Sequence, residues 1–309
     1  MRIDRRGFIQ GSLALGGTAL LASTQAPADA SAQTGVPASA AGPLSLHLHT
    51  GNDGGFLVNS TLVAGAREAV LIDAQFSFAN AHRLLAEILE TGRKVTTVYV
   101  THAHPDHYFG IAVIREAFPD LRVVAAAATI EGIERTAESK IAEWAPRLGR
   151  NVPTRAIVPD LLEGGVIDLE GHRLEVIEGL QGDIPENTIV WIPDLKAVVT
   201  GDTVYGGCHV WTADAGKAER AAWMRTLDRI EALAPEVVVP GHFKTGTPTS
   251  LDATVGHTRD YLTFFGDVVE GATTSTEVVA AVRERYPDLS FGMALEVGAK
   301  VRTGEMEWH

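Results

Sequence analysis

The order of apolar and polar segments along the chain predicts alternating strands and helices. Residues 69–72 and 95–101 are short apolar runs, the second rich in β-branched residues, as in buried strands. Between them, residues 79–90 carry apolar side chains at helical spacing and stop at Thr91-Gly92. Because this alternation continues along most of the chain, the pattern favours an α/β fold.

The remaining segments follow the same reasoning. The pattern predicts further strands over residues 56–63, 122–126, 166–169, 173–177, 188–192, 197–200 and 236–240. It predicts further helices over residues 108–118, 129–148 and 217–233, and a mostly helical tail from Leu251.

Two parts of the chain repeat one order of elements. "AVLIDAQ", a helix and "TTVYVTHAHPDH" form the first part, and "AVVTGDT", a helix and "PEVVVPGH" form the second. Each runs strand, aspartate, helix, strand, histidine. A sandwich of two similar halves would place both His/Asp sets along one edge, where loops carry polar groups over a rigid base.

Composition narrows the function classes. The chain has 309 residues, of which 45% are hydrophobic, enough for one large domain or two small ones. A net charge of -13 and the lack of Lys/Arg clusters argue against a nucleic-acid partner. The single cysteine, Cys208, excludes an intrachain disulfide and a cysteine-built zinc site.

The N-terminus has the pattern of an export signal. Arg2 and the pair Arg5-Arg6 precede an apolar run over residues 13–22 and an A-x-A-like end at Ala30. We expect residues 1–30 to be a twin-arginine-type signal peptide, 31–45 a flexible linker and 46–309 the folded domain. A retained membrane anchor is the alternative, but the apolar run is shorter than the about 20 residues needed to span a bilayer. The expected location is the periplasm, without stable membrane insertion after signal cleavage.

The strongest chemical signal is "VTHAHPDHYFG" at residues 100–110. His102 and His104 alternate as on an extended segment, so their rings can point the same way. Pro105 ends the extended segment, and Asp106 and His107 follow in a turn. Imidazole and carboxylate ligands this close together suit one or two ions of zinc, iron, manganese or cobalt.

This His-x-His-x-Asp-His motif resembles the signature of the metallo-β-lactamase superfamily. Asp202 in "TGDT" is similar to the family's bridging aspartate, and His242 in "PGH" to its final histidine. The resemblance implies a four-layer αβ/βα sandwich with the site on one edge. It also implies two metal sites that share Asp202, with the ligands His102, His104, Asp106, His107, Asp183, Asp202 and His242.

Asp183 is a departure from that family pattern. The segment "GDIPEN" at residues 182–187 stands where the family has a Gly-His-x-Pro turn, so Asp183 occupies the position of the third histidine. An acidic residue there resembles the alkylsulfatase branch, although that branch has a longer chain with extra helical domains and a glutamate at the bridge. The alternative is that Asp183 only hydrogen-bonds its own turn.

The resemblance implies a hydrolase in which two divalent ions, first of all Zn²⁺ with Mn²⁺ or iron as alternatives, activate a bridging hydroxide. The expected substrate is a small molecule with a carboxylic ester or lactone bond. A sulfate ester and a β-lactam are alternatives within the hydrolases. A mononuclear iron persulfide dioxygenase is an alternative of another class, and a non-enzymatic metal-binding module is a further one.

Several other residues are candidates for roles around the metals. Asp106, Tyr205 and His209 are the candidate catalytic residues, and Tyr205, His209 and Trp211 follow Asp202 closely enough to line a pocket. Tyr205 or His209 could donate to an oxyanion or a leaving group, and structural packing is the alternative for all three. Asp73, at the end of a strand, is a candidate to orient a ligand histidine.

For the remaining polar candidates the structural interpretation is favoured. Cys208 follows two glycines and is expected to be a small buried residue. His47 and His49 are expected at the surface or in packing, and His257 in solvent.

Overall fold

The computed structural model describes residues 42–308. The predicted signal segment, and all of the predicted linker before Gly42, lie outside the described residues. The first strand begins at Ser45, one residue before the predicted start of the folded domain. Within residues 42–308, no helix combines the length and the apolar character that crossing a membrane requires.

Two main β-sheets lie at the centre of the fold. The first has six strands in the order β1 to β6: Ser45–Thr50, Asn59–Ala64, Glu68–Ile72, Lys94–Val100, Arg122–Ala125 and Asp160–Leu161. The second has the order β12-β10-β9-β8-β7, with β7 Val166–Leu169, β8 His172–Leu180, β9 Asn187–Ile192, β10 Ala197–Val199 and β12 Val237–Val239. Strands β11 (Tyr205–Gly206) and β13 (His242–Phe243) form a separate parallel pair.

Helices cover the outer face of each main sheet. The first sheet is followed and covered by α1 Phe78–Glu90, α2 Pro105–Tyr108, α3 Ile111–Ala117 and α4 Ala127–Leu148. The second is covered by α5 Lys217–Ala232, α6 His257–Gly271, α7 Ser275–Arg285 and α8 Gly292–Arg302. A turn of π-helix, Asp252–Gly256, leads into α6.

The alternating side chains of the strands explain the layers. On β3, Val70 and Ile72 pack between the two sheets, while Ala69 and Leu71 pack against the first group of helices. On β10, Val198 instead faces the second group of helices. A strand buried on both faces needs a continuous apolar run, as β3 shows. The predicted four-layer αβ/βα sandwich is therefore confirmed.

The repeat seen in the sequence corresponds to two parallel strand pairs. Strands β3 and β4 are parallel and joined through α1, and β10 and β12 are parallel and joined through α5. Asp73 directly follows β3, and Asp202 lies three residues after the end of β10. Because parallel strands end on the same side of a sheet, each pair delivers its aspartate and its histidine segment to one edge.

Two predicted elements differ from the observed ones. The strand predicted from Phe56 begins only at Asn59, because Phe56 and Leu57 have the left-handed φ values 63° and 59° and form a turn. The helix predicted over residues 108–118 is interrupted at Gly110. A Cβ atom on Gly110 would overlap the carbonyl oxygen of Ala74, so the chain passes closest to the end of β3 at this residue.

The close approach at Gly110 predicts a large cost for adding a methyl group there. Gly110→Ala should lower the free energy of unfolding by about 3 kcal/mol, because the clash is with backbone and cannot relax by a rotamer change. Gly271→Ala, at the end of α6 with open space around it, should change this free energy by less than about 1 kcal/mol. Urea titration of both variants measures the difference, and equal stability would contradict the packing described here.

Candidate metal centre

The seven predicted ligands meet in two adjoining groups at one edge of the sandwich. One group contains His102, His104, Asp183 and Asp202, and the other Asp106, His107 and His242. In each group, one donor atom from every residue lies within 4.8 Å of the others. All but His104 are buried, and all seven come from segments that follow strands or from the start of β13.

Asp202 stands between the two groups. Its Oδ1 lies 3.1 Å from Nε2 of His107, and its Oδ2 lies 3.0 Å from Nε2 of His242. The same Oδ2 is 3.8 Å from Nε2 of His102 in the other group. This is the position that a ligand shared by two ions would occupy.

Hydrogen bonds behind the rings of His102 and His107 orient them. Nδ1 of His107 donates to Oδ2 of Asp73 at 2.7 Å, as predicted for an orienting aspartate. The Thr101 hydroxyl also donates to Asp73, at 2.8 Å, so it accepts from Nδ1 of His102 at 3.0 Å. With the proton of each ring on Nδ1, the Nε2 lone pairs point into the cluster, the arrangement usual for metal-binding histidines.

His242 is held in the same tautomer by a backbone group. Its Nδ1 donates to the carbonyl oxygen of Phe56 at 2.7 Å, which leaves the Nε2 lone pair facing Asp202. The left-handed turn at Phe56 is what directs this carbonyl towards His242. The turn that shortens the predicted strand therefore contributes directly to the site.

Several donor atoms in the cluster have only one another as neighbours. Nε2 of His102 and His107, Oδ1 of Asp202 and Oδ2 of Asp183 are all buried, and their polar contacts are with other members of the cluster. Such groups are costly to bury, and here their lone pairs face one another. Burial, and after it the nearby His107, holds the pKa of His102 well below its usual value, so this ring is neutral, as a ligand must be. The residues present thus fit divalent metal ions.

Asp183 divides its two carboxylate oxygens between two tasks. Its Oδ1 accepts from the backbone N–H of Ile184 at 2.8 Å and from Nδ2 of Asn187 at 3.1 Å. Its Oδ2 lies 2.7 Å from Nδ1 of His104, within ion-pair distance. The turn therefore fixes one oxygen, and the other faces the His104 ring inside the cluster.

Tyr205 and His209 do not lie where an oxyanion donor would. The Tyr205 hydroxyl donates to Oδ2 of Asp202 at 2.9 Å, and its buried ring stacks on His242 at 5.2 Å. Burial raises the pKa of Tyr205 well above its usual value, so it stays a donor to Asp202. His209 contacts Tyr261 at 3.2 Å, away from the cluster, and burial lowers its pKa to about 4. The structure supports a positioning role for Tyr205 and does not bring His209 to the site.

The lower-ranked sequence predictions have mixed outcomes. Cys208 is buried, as predicted, and His49 packs against Glu87. The prediction that His257 is in solvent is wrong, because its Nε2 bonds the carbonyl oxygen of Cys208 at 2.9 Å and its side chain is largely enclosed.

A cavity opens from the cluster towards solvent. His104, Asp106, Asp202 and His242 form its floor. Its walls are mostly aromatic and contain Phe56, Trp144, Trp211, Phe291, Met293 and Trp308, with Lys140 at the side. Trp211 was the one wall residue anticipated from the sequence; the others are distant along the chain and belong to no local motif.

Comparisons with known proteins agree with this geometry. The sequence model of the metallo-beta-lactamase superfamily matches residues 53–242. A metallo-beta-lactamase type 2 of Bacteroides fragilis is 24% identical over 213 residues, covering 66% of this chain and 76% of that protein. An atrochrysone carboxyl ACP thioesterase of Aspergillus fumigatus is 23% identical over 281 residues, covering 81% of this chain and 80% of that protein.

Solved structures show the same fold. A metallo-beta-lactamase from Pontibacter korlensis has a TM-score of 0.54 at 22% identity, covering 72% of this chain and 98% of that one. A metallo-beta-lactamase family protein from Thermus thermophilus has a TM-score of 0.57 at 20% identity, covering 84% of this chain and 93% of that one. With its strand-end cluster of histidines and aspartates, this chain belongs to the metallo-beta-lactamase superfamily and is a metal-dependent hydrolase.

The bond from His107 to Asp73 predicts a loss of metal affinity when its charge is removed. Asp73→Asn keeps the size of the side chain and tolerates the left-handed φ of 59° at this position. It should weaken metal binding by about 10–100-fold, the usual cost of losing such a partner. Competition with a chromophoric chelator measures the affinity.

Asp194→Asn is the matched control for this substitution. Asp194 also pairs with a histidine, His172, but at the surface and outside the cluster. This variant should bind metal like the unmodified protein. An equal effect of both substitutions would contradict the orienting role of Asp73.

Proposed function

We propose that this protein holds two divalent metal ions at the sandwich edge and uses them to hydrolyse a carboxylic ester-type bond: an ester, lactone or thioester. The observation that carries the proposal is the convergence of the buried donor atoms of His102, His107, Asp183 and Asp202, which face one another at the sandwich edge. His102, His104 and Asp183 would hold one ion, Asp106, His107 and His242 the other, and Asp202 both.

Divalent ions held there would polarise a carbonyl group and lower the pKa of a water molecule to about 7. The chain's own residues supply the geometry. Tyr205 donates to Asp202, Asp73 accepts from His107, and the Phe56 carbonyl accepts from His242, so each ligand is held before a substrate arrives. No serine or cysteine nucleophile is required.

The carboxylate of Asp183 sets the charge of the site. Two divalent ions bring four positive charges, and Asp106, Asp183 and Asp202 bring three negative ones. A histidine at position 183 would leave one more positive charge. The less positive site suits oxygen-loving ions such as Mn²⁺ in addition to Zn²⁺.

The mostly apolar walls of the cavity favour a neutral acyl compound over an anionic substrate. The thioesterase name of the Aspergillus fumigatus relative, which covers most of this chain, supports an ester-type bond. A sulfate ester is the second candidate, favoured by the acidic turn at Asp183. Because some relatives are named as β-lactamases, a β-lactam is a further candidate substrate. A persulfide dioxygenase needs a single iron, so Asp106, His107 and His242 would have no metal to hold.

Metal content and a substrate panel test the proposal together. Elemental mass spectrometry of the protein purified without added metal should find close to two divalent ions per chain. Aryl ester, thioester and lactone substrates should be hydrolysed faster than an aryl sulfate or a cephalosporin. One iron per chain, with no hydrolysis and oxygen consumption on a persulfide, would overturn the proposal.

A variant at Asp183 connects the metal to the activity. Asp183→Asn keeps the contact of Oδ1 with the turn but removes the charge that faces His104. It should lose at least about 100-fold in hydrolysis and retain about one ion per chain, since even an indirect partner of a metal costs about 10–100-fold. Asp194→Asn, at the surface, is the control. Unchanged metal content and activity would leave Asp183 as a residue of its turn only.

We also propose that the protein is exported to the periplasm by the twin-arginine signal in residues 1–30, with no stable membrane insertion after cleavage. Replacing Arg5 and Arg6 by lysine should leave the uncleaved protein in the cytoplasmic fraction, because this route is specified by the arginine pair. Arg2→Lys, outside the pair, should be exported normally. Fractionation and immunoblotting measure both, and export of the double variant would contradict the proposal.

A further inference from the structure

We propose that the segment after residue 242 completes a pocket for a flat aromatic group of the substrate. This inference rests on the proposed ester-type hydrolase and adds its substrate class: an acyl compound with a planar ring system beside the scissile bond. The aromatic pocket consists of Phe56, Trp144, Trp211, Phe291, Met293 and Trp308.

Ring geometry carries the first part of the argument. The Phe291 ring stacks on Phe56 at 5.8 Å and on Trp211 at 6.5 Å, with interplanar angles of 28° and 18°. Trp144 meets the edge of Phe56 at 5.4 Å, and Trp308 meets Trp211 at 5.2 Å. The walls therefore present ring faces and edges on which a planar ring of a ligand can stack.

The aromatic pocket adjoins the metal ligands directly. Phe291 stacks on His242 at 4.9 Å with an interplanar angle of 19°. Asp106, Asp202 and His242 line the same cavity. A ring held between these walls would place an attached carbonyl group above the cluster.

The segment that carries Phe291 is hydrogen-bonded to residues 207–209, which follow Asp202 in the chain. Ser290 forms an isolated parallel bridge with Cys208, in which the N–H of His209 donates to Ser290 at 3.0 Å. The N–H of Ser290 donates to the carbonyl oxygen of Gly207 at 3.3 Å. These bonds fix the residue before Phe291 to the chain that follows Asp202.

Phe291 has a backbone conformation that argues for a function. Its φ of 62° and ψ of 46° lie in the left-handed region, which is unfavourable for a bulky aromatic residue. The Phe291 ring lines the cavity and also packs against the apolar cluster to which α7 and α8 contribute. The family match ends at residue 242, so Phe291, Met293 and Trp308 lie outside the matched range.

A second cavity beside the cluster has more polar walls. His104, Lys140 and Trp308 also line this second cavity, whose further walls include Arg135, Thr136, Glu186 and Asp214. An aromatic compartment and a polar one therefore share His104, Lys140 and Trp308. A substrate lying across the cluster would have its ring system on one side and its polar part on the other.

Binding of a matched pair of carboxylates tests the pocket without depending on hydrolysis. The probes are 2-naphthoate and its saturated analogue decahydro-2-naphthoate, which share the carboxylate and the carbon skeleton but not the flat ring. On the metal-loaded protein, calorimetric titration should find 2-naphthoate at least about 10-fold tighter, because only the planar ring can stack. Equal affinities would overturn the inference.

Substitutions test whether the preference for 2-naphthoate depends on residues after position 242. Trp308→Leu should reduce the preference for 2-naphthoate by about fivefold, and Phe291→Leu is a second variant if the first fails to fold. Trp191→Leu is the matched control, since Trp191 is a partly buried tryptophan of β9 outside the cavity. A preference that survives both pocket variants, or that falls equally in the control, would overturn the assignment.

Thioesters of the same two acids separate this inference from the proposed function. Faster hydrolysis of the naphthoyl thioester supports both. A preference for 2-naphthoate in binding without hydrolysis of either thioester overturns the ester-type function and leaves the pocket in place. Hydrolysis of both thioesters at equal rates, together with equal binding, overturns the pocket and leaves the function.

Discussion

The site depends on buried imidazole and carboxylate groups that need a positive charge between them. The Nδ1 atoms of His102, His107 and His242 are hydrogen-bonded on the far side of each ring, so three Nε2 atoms face carboxylate oxygens. Asp202 and Asp183 contribute buried oxygens to the same cluster. Without a metal ion or a proton between these groups the arrangement would be strongly unfavourable in a buried site, because each desolvated lone pair would lack a partner. Metal binding and the stability of this edge of the sandwich are therefore coupled.

The ligands are held by the same contacts that join the strands of the first half. Asp73 continues β3, accepts from the backbone N–H and hydroxyl of Thr101 at the end of β4, and accepts from His107. A single carboxylate thus ties two parallel strands together and orients a ligand. The same edge receives Asp202 from the second half. Because the strands are packed on both faces, the positions of these ligands are set by the core and change little with the loops.

Chemistry and selectivity come from different parts of the chain. The ligand cluster lies within the part that matches the superfamily, residues 53–242. The aromatic pocket takes Phe291, Met293 and Trp308 from beyond it. The bridge between Ser290 and Cys208 joins the two parts a short distance along the chain from Asp202. Under the functions proposed above, changes in the later segment would alter which acyl compound is accepted while leaving the ligand set intact.

The sequence by itself determined those features that depend on residues close together in the chain. The strand before His102, the ligand motif, the two repeated units and the replacement at Asp183 are all local patterns, and each lies where it was expected. The tertiary structure decided what depends on distant contacts. Phe56 leaves its predicted strand because its carbonyl accepts from His242, 186 positions away. Tyr205 turns to Asp202, and Phe291 reaches the cavity from a helical tail. Hydrophobic periodicity records which face of an element is buried, but not which partner it meets, because that is set by the packing of the whole chain.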